Sequence, residues 1–165
     1  MLEFNHRHFM KKKDAKQLLT KFSQKLKIDL KQLLKPSSNL EQAEILGVKV
    51  FFLNGEVLFA EENKLLFPTL AFHKIFPYLP KIVVDMGAVP YVCQGADVMA
   101  PGVIRTQGDF NNQDFILVVD ERHKQVLAVA IALLASNFVG SLKHGKVAKN
   151  IHYVGDKLWN ILKQK

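Results

Sequence analysis

Cys93 is the one cysteine of the chain, and six histidines are scattered along it. Together they offer few routes to covalent or metal chemistry. A thiol becomes a nucleophile where a neighbouring cation or base lowers its pKa, and the stretch "PYVCQG" around Cys93 supplies none. That stretch reads as a strand, and the thiol as a buried structural one. A lone cysteine also excludes a disulfide framework and a CxxC metal or redox motif within the chain. His6 and His8 flank Arg7, but two imidazoles fall short of a metal-ligand set, and the segment reads as a mobile basic end. Ahead of residue 80 there is no paired nucleophile and base, no metal-ligand set and no glycine-rich cofactor loop. No catalytic residue, metal or cofactor is assigned, and the expectation is a protein that is not an enzyme.

The chemistry that remains is recognition of an anion. From Val84 to Ile104 the chain reads "VDMGAVPYVCQGADVMAPGVI", with Gly87, Gly95 and Gly102 at intervals of eight and seven. The residue types describe a strand, a glycine turn, one helical turn near Ala96 to Met99, a Pro101-Gly102 turn and a return to a strand. Asp97 falls just inside that helical turn, where it accepts bonds from free amides. Such a bend bares main-chain amides beside a strand, where a phosphate or sugar edge can approach closely. The same glycines also serve the tight corners of a small barrel, and spacing alone leans toward the corners. "KHGKVAKN", Lys143 to Asn150, is open to two readings as well: a second phosphate-contacting edge through Lys143 and Lys146, or a solvated loop. Tyr153 and Trp159 can stack on bases, or pack a C-terminal strand against Ile151 and Leu158.

Charge supports the anion. The chain of 165 residues carries +8 and a pI near 9.6, which points to nucleic acid first and an anionic membrane surface second. Residues 1–35 hold Arg7 and nine lysines against Glu3, Asp14 and Asp29, a balance of +7. No apolar run reaches the roughly 20 residues of a membrane span, and the N-terminus lacks the apolar core of a signal peptide. A cytoplasmic protein without a membrane partner is expected.

The elements that must position these residues fall into two groups. Ala15, Leu18, Leu19, Phe22 and Leu26 recur at helical spacing with lysines on the remaining turns. A second short helix spans Asp29 to Leu34, with Asp29 as its cap, and "KPSSNLEQ" reads as a loop. "GVKVFFLNGEVLFA" is a hairpin turned at Asn54-Gly55, "KLLFP" a third strand, and Thr69 to Phe76 another short helix. Beyond "FPYLPK", a stiff connection, the strands "KIVVDMGAVPYV", "DFILVVDE" and "QVLAVAIALLAS" describe a compact barrel or sandwich. The expected domains are residues 1–79 and 80–165.

The glycine-rich stretch resembles the signature of the PUA domain, an RNA-binding module, in which a valine-aspartate-x-glycine-alanine strand precedes a glycine-alanine-aspartate-valine-methionine-x-proline-glycine turn. "FPTLAFHKIFPYLPKIVVDMGAVPYV", "LNGEVLFA" and "NIHYVGDKLWNI" are similar to segments of the malignant-T-cell-amplified-sequence family, so the likeness runs from about residue 47 to the end. Residues 1–46 match no motif, and the short link "RTQGDFNNQDF" is closer to archaeal members. The resemblance implies an α+β protein, a small N-terminal α/β (pre-PUA) domain followed by a C-terminal PUA β-barrel. It implies binding to tRNA or rRNA and to the small ribosomal subunit in translation initiation, re-initiation or recycling, with a density-regulated-protein-like partner in eukaryotic members. Carried over by position, the RNA-facing residues are Gly95, Ala96, Asp97, Val98, Met99, Pro101, Gly102 and Val103. Arg105, next along the strand, adds a cation for a phosphate. Two other readings stand beside this one. The first is an accessory or targeting subunit of an RNA-modification enzyme. The second is an adaptor that docks protein on an apolar patch formed by Phe51 to Leu53 and Leu65 to Phe67.

Overall fold

The computed structural model describes residues 4–34 and 39–163, and the chain divides into two compact units that change over between Pro77 and Tyr78. In the first unit the helical pattern forms α1 (Lys12–Leu26), with Phe22 and Leu26 buried. The helix stops at Lys27, which takes left-handed backbone at φ 58°, a C-terminal stop made here without glycine. α2 (Leu30–Leu33) begins at Asp29, whose carboxylate accepts the Lys31 N–H at 3.0 Å. Phe22 lies on Phe59 with ring centroids 4.5 Å apart, and Phe51 stacks on Phe59 at 4.9 Å, so α1 covers one face of the sheet.

That sheet is an antiparallel meander of five strands, β1 (Asn5–Phe9), β2 (Leu40–Ile45), β3 (Val48–Leu53), β4 (Glu56–Glu62) and β5 (Leu65–Pro68), in sequence order. The β3–β4 turn is the one expected, with Asn54 and Gly55 at φ 52° and 82°. Two strands correct the sequence reading. The basic segment around His6 and His8 is ordered as β1, pairing His8 with Gln42 and Phe9 with Glu41 on β2. Its five residues are all exposed, so no alternation betrays it. Arg7 instead holds it down, donating from Nε to Glu41 at 2.7 Å and lying 4.6 Å over the Phe52 ring. The loop "KPSSNLEQ" ends early: β2 starts at Leu40, and residues 35–38 lie outside the described residues. Phe51, Phe52, Leu53, Leu66 and Phe67 are all buried, which removes the proposed apolar docking patch. A 3-10 turn, His73–Tyr78, stands where a short helix was expected.

The second unit contains β6 (Lys81–Val84), α3 (Val89–Val92), β7 (Val98–Met99), a 3-10 turn (Ala100–Gly102), β8 (Val103–Gln107), β9 (Phe115–Asp120), β10 (Val126–Ala132), α4 (Ser136–Val139), β11 (Lys146–Tyr153) and α5 (Lys157–Lys163). Its six-stranded sheet has the order β7-β11-β10-β9-β6-β8, with β6 and β9 parallel. The two edge strands, β7 and β8, are consecutive in the chain and joined by three residues. So short a link between opposite edges requires the sheet to curl on itself, which protects both edges. Ile82, Val84, Val98, Ile116, Val118, Ala128 and Val147 fill the interior. At the β9–β10 turn Asp120 is 3% exposed and accepts amide hydrogens from Arg122, His123 and Gln125. Burial pushes its carboxyl up, and the three amides outweigh that and hold it below the ordinary carboxylate range.

Three local expectations change in this unit. Cys93 is not in a strand: it caps α3, half-buried, and burial raises its thiol pKa. Pro90 in the first turn favours that helix over a strand. No helix spans Ala96 to Met99, where a loop leads into β7, and the helical turn comes one step later at Ala100–Gly102. Trp159 stands on α5 rather than a strand, with the Lys163 ammonium 4.6 Å over its ring.

Candidate nucleic-acid interface

The site is built around the crossing from β7 to β8. β6 is followed directly by Asp85, whose amide donates to the Gly102 carbonyl at 3.0 Å and whose carboxylate accepts the Ala88 N–H at 2.8 Å. This fixes the start of α3 beside the crossing. On the other side, Met99 pairs with Lys146, and the Ala100 N–H donates to the Gly145 carbonyl at 2.8 Å. Met99 to Val103 is thereby pinned to the barrel at both ends.

Asn150 of β11 clamps the preceding loop. Its backbone amide donates to Asp97 Oδ1 at 2.9 Å, and its Nδ2 donates to the carbonyls of Val92 and Ala96, both at 3.0 Å. Asp97 also meets the Lys146 ammonium at 3.0 Å. Partial burial raises the Asp97 pKa, but the Asn150 amide and Lys146 win and hold it below the ordinary range. The expectation that Asp97 caps a helix is replaced by this link across the barrel.

The glycines do less for a ligand than their spacing allows. Gly95 has φ 95°, and a Cβ there would meet the Tyr153 ring at 3.0 Å; a Cβ on Gly102 would meet Ala88 at 3.1 Å. Both close approaches are taken by the protein's own side chains, as the barrel-corner reading holds. Tyr153 accordingly packs rather than offering a free ring.

Two grooves of about 440 Å³ each flank the crossing. One is walled by Tyr91, Ala96, Met99 and Pro101, and the other by Ile104, Arg105, Thr106, Asn137 and Leu142. Tyr91 is 67% exposed, Met99 45% and Ile104 48%. Among the residues expected to face RNA, Ala96, Met99, Pro101 and Arg105 are exposed along these grooves, while Gly102 and Val103 are half-buried beside them. Val98 is buried in the core and has no side chain to offer. Lys143 is exposed on the loop before β11, and Lys146 is exposed but engaged with Asp97. The sequence reading passed over Tyr91, Ile104, Leu142 and Asn150. Ile104 carries a readable signal, an aliphatic residue beside Arg105 in a short strand. The clamp by Asn150 carries none.

A sheet curled in this way, closed by a crossing between short strands, is a small barrel. The family model described as PUA domain matches residues 80–154, and the one described as Domain of unknown function (DUF1947) matches residues 6–74, so the likeness reaches into the N-terminal residues where no motif was legible. An uncharacterized protein of Methanocaldococcus jannaschii is 33% identical over 163 residues, covering 96% of this chain and 98% of its own. Translation machinery-associated protein 20 of Eremothecium gossypii is 33% identical over 120 residues, and malignant T-cell-amplified sequence 2 of Mus musculus 29% over 119; each match covers 66% of the relative, just under two thirds of its length. A hypothetical protein of Pyrococcus horikoshii superimposes with TM-score 0.78 at 30% identity, covering 94% of this chain and 99% of its own. The PUA domain of Aeropyrum pernix shares the fold at TM-score 0.84, 22% identity, and 99% and 92% coverage.

The second unit is a PUA domain preceded by a DUF1947 pre-PUA unit. The chain is of one family with the Methanocaldococcus jannaschii protein, and over about 120 residues it is homologous to the malignant-T-cell-amplified-sequence and translation-machinery-associated 20 proteins. Among the described residues no helix is long and apolar enough to cross a membrane.

Proposed function

We propose that this chain is a non-catalytic RNA-binding protein of translation, which holds tRNA or the small ribosomal subunit along the Met99–Arg105 crossing of its PUA domain. The observation that carries this reading is the crossing itself: large side chains stand out of a rigid edge, with a groove on each side and Arg105 among them. Unstacked bases need such flat or flexible apolar contacts, and a guanidinium beside them suits the connecting phosphates. In this reading Gly95, Asp97 and Gly102 shape the edge, while Lys143 and Lys146 reach phosphates. The names of relatives associate them with the translation machinery, which supports the same setting for this chain; a cytoplasmic place of work and a translation-factor partner of the density-regulated-protein kind complete the proposal. The reading is tested by titrating tRNA and small ribosomal subunits at two salt concentrations. Saturable, salt-sensitive binding is expected, and its absence with both would overturn the proposal. Formation of a modified base by the chain alone would overturn its non-catalytic part.

A further inference from the structure

The charge of the molecule is not where the grooves are. Residues 78–163 hold nine cations against seven carboxylates, whereas eight lysines stand between Lys11 and Lys31 against Asp14 and Asp29 alone. On α1 helical geometry puts Lys12 and Lys16 one turn apart on one flank, Lys21 and Lys25 on the other, and Lys13 between them. All five are exposed. Among the described residues, no carboxylate bridges to Lys12, Lys13, Lys16 or Lys21.

These lysines are placed against the helix's own interest. Lys11, Lys12 and Lys13 occupy the cap and first two helical positions, where the macrodipole disfavours cations, and the cap makes no side-chain hydrogen bond. Lys12 with Lys16, and Lys21 with Lys25, are like-charge pairs four residues apart, which destabilise a helix. The Lys25 pKa is lowered by partial burial and then by the charge of Lys21. A helix kept for solubility gains nothing from this pattern, because interspersed carboxylates give the same solvation without the repulsion. A polyanion lying on the surface removes both costs.

We infer that the exposed face of α1 is a second, sequence-independent RNA-binding surface, which grips the phosphate backbone of structured RNA and supplies most of the salt-sensitive attraction. Membranes are the poorer fit. An interfacial helix inserts an apolar face, and on α1 that face is occupied, with Phe22 buried on Phe59. The row of exposed point charges left outside, on flexible stems, suits phosphates.

The inference rests on the RNA-binding reading, and one experiment separates the two. Lys12, Lys13, Lys16 and Lys21 are changed together to glutamine in the full chain, which preserves helix propensity, and circular dichroism checks the fold. A duplex RNA of arbitrary sequence is titrated across a salt series beside an Arg105→Ala variant. The four-lysine variant is expected to bind about tenfold more weakly at low salt and to lose about 3 from the slope of log affinity against log salt. An unchanged slope with binding intact overturns the inference and leaves the groove reading standing. No binding by the parent chain overturns both. Vesicles of phosphatidylserine and phosphatidylcholine form the last arm: lysine-dependent capture by them, with RNA binding unchanged, assigns the face to membranes and overturns the inference.

Discussion

The two units carry opposite halves of what an RNA-binding protein needs. The pre-PUA unit has the charge, arranged on the outside of α1, and its large apolar runs are spent on the core between that helix and the sheet. The PUA unit is nearly neutral, and it has the shaped edge, with Tyr91, Met99 and Ile104 exposed beside two grooves. Attraction that is long-ranged and indifferent to sequence asks only for a row of cations. Close fitting asks for a fixed edge with stacking and hydrogen-bonding groups. A domain that separates these demands avoids burying unpaired charge at the place where bases must pack.

The comparison breaks most visibly at the platform under α1. Phe22→Ala removes a fully buried ring from Phe59 and should cost about 4 kcal/mol in denaturant unfolding; a loss under 1 kcal/mol would show that α1 is not held by the sheet. Asn150→Ala should cost about 2 kcal/mol, because the carbonyls of Val92 and Ala96 lose their donor, and it should weaken RNA binding through the Tyr91 groove while leaving the salt slope alone. Asp120 sharpens the account of the barrel in acid. Its folded pKa is depressed, so its contribution is complete above the ordinary value of 3.8 and disappears as pH falls through the lower folded value. Asp120→Asn should therefore lower stability at neutral pH by about 2 kcal/mol and flatten the acid limb of a pH series. Arg105→Ala should cost about fivefold in RNA affinity, near 1 kcal/mol. Lys146→Gln should change stability by no more than about 0.5 kcal/mol, since its pair with Asp97 is exposed on the lysine side.

How far the sequence could be read follows from the range of the interactions. α1, the Asp29 cap and the Asn54-Gly55 turn were legible because the signals lie within a few residues: helical periodicity, an acceptor placed for free amides, and a pair that tolerates positive φ. The PUA barrel was legible through its motif. β1 was not, because its side chains all face solvent and its order comes from Arg7 reaching Glu41, 34 residues away. β2 buries Leu40, Ala43 and Ile45, a spacing that matches neither period. Of the candidate site residues named from the sequence, Met99, Pro101 and Arg105 lie exposed at the edge, while Val98 belongs to the core. The glycines were seen as openings, and it took Tyr153, 58 residues beyond Gly95, to show that the space is filled. Asn150 reaches Val92 from the same distance.

The central claim is that RNA lies along the Met99–Arg105 crossing. Its most direct test is photo-cross-linking of the full chain to tRNA and to small ribosomal subunits, with the attachment sites mapped by mass spectrometry. The account predicts RNA adducts on Tyr91, Met99 and Ile104 or their immediate neighbours, and their suppression in Arg105→Ala. Adducts confined to the β9–β10 turn around Arg122 to Lys124, with the crossing unmarked, would contradict it.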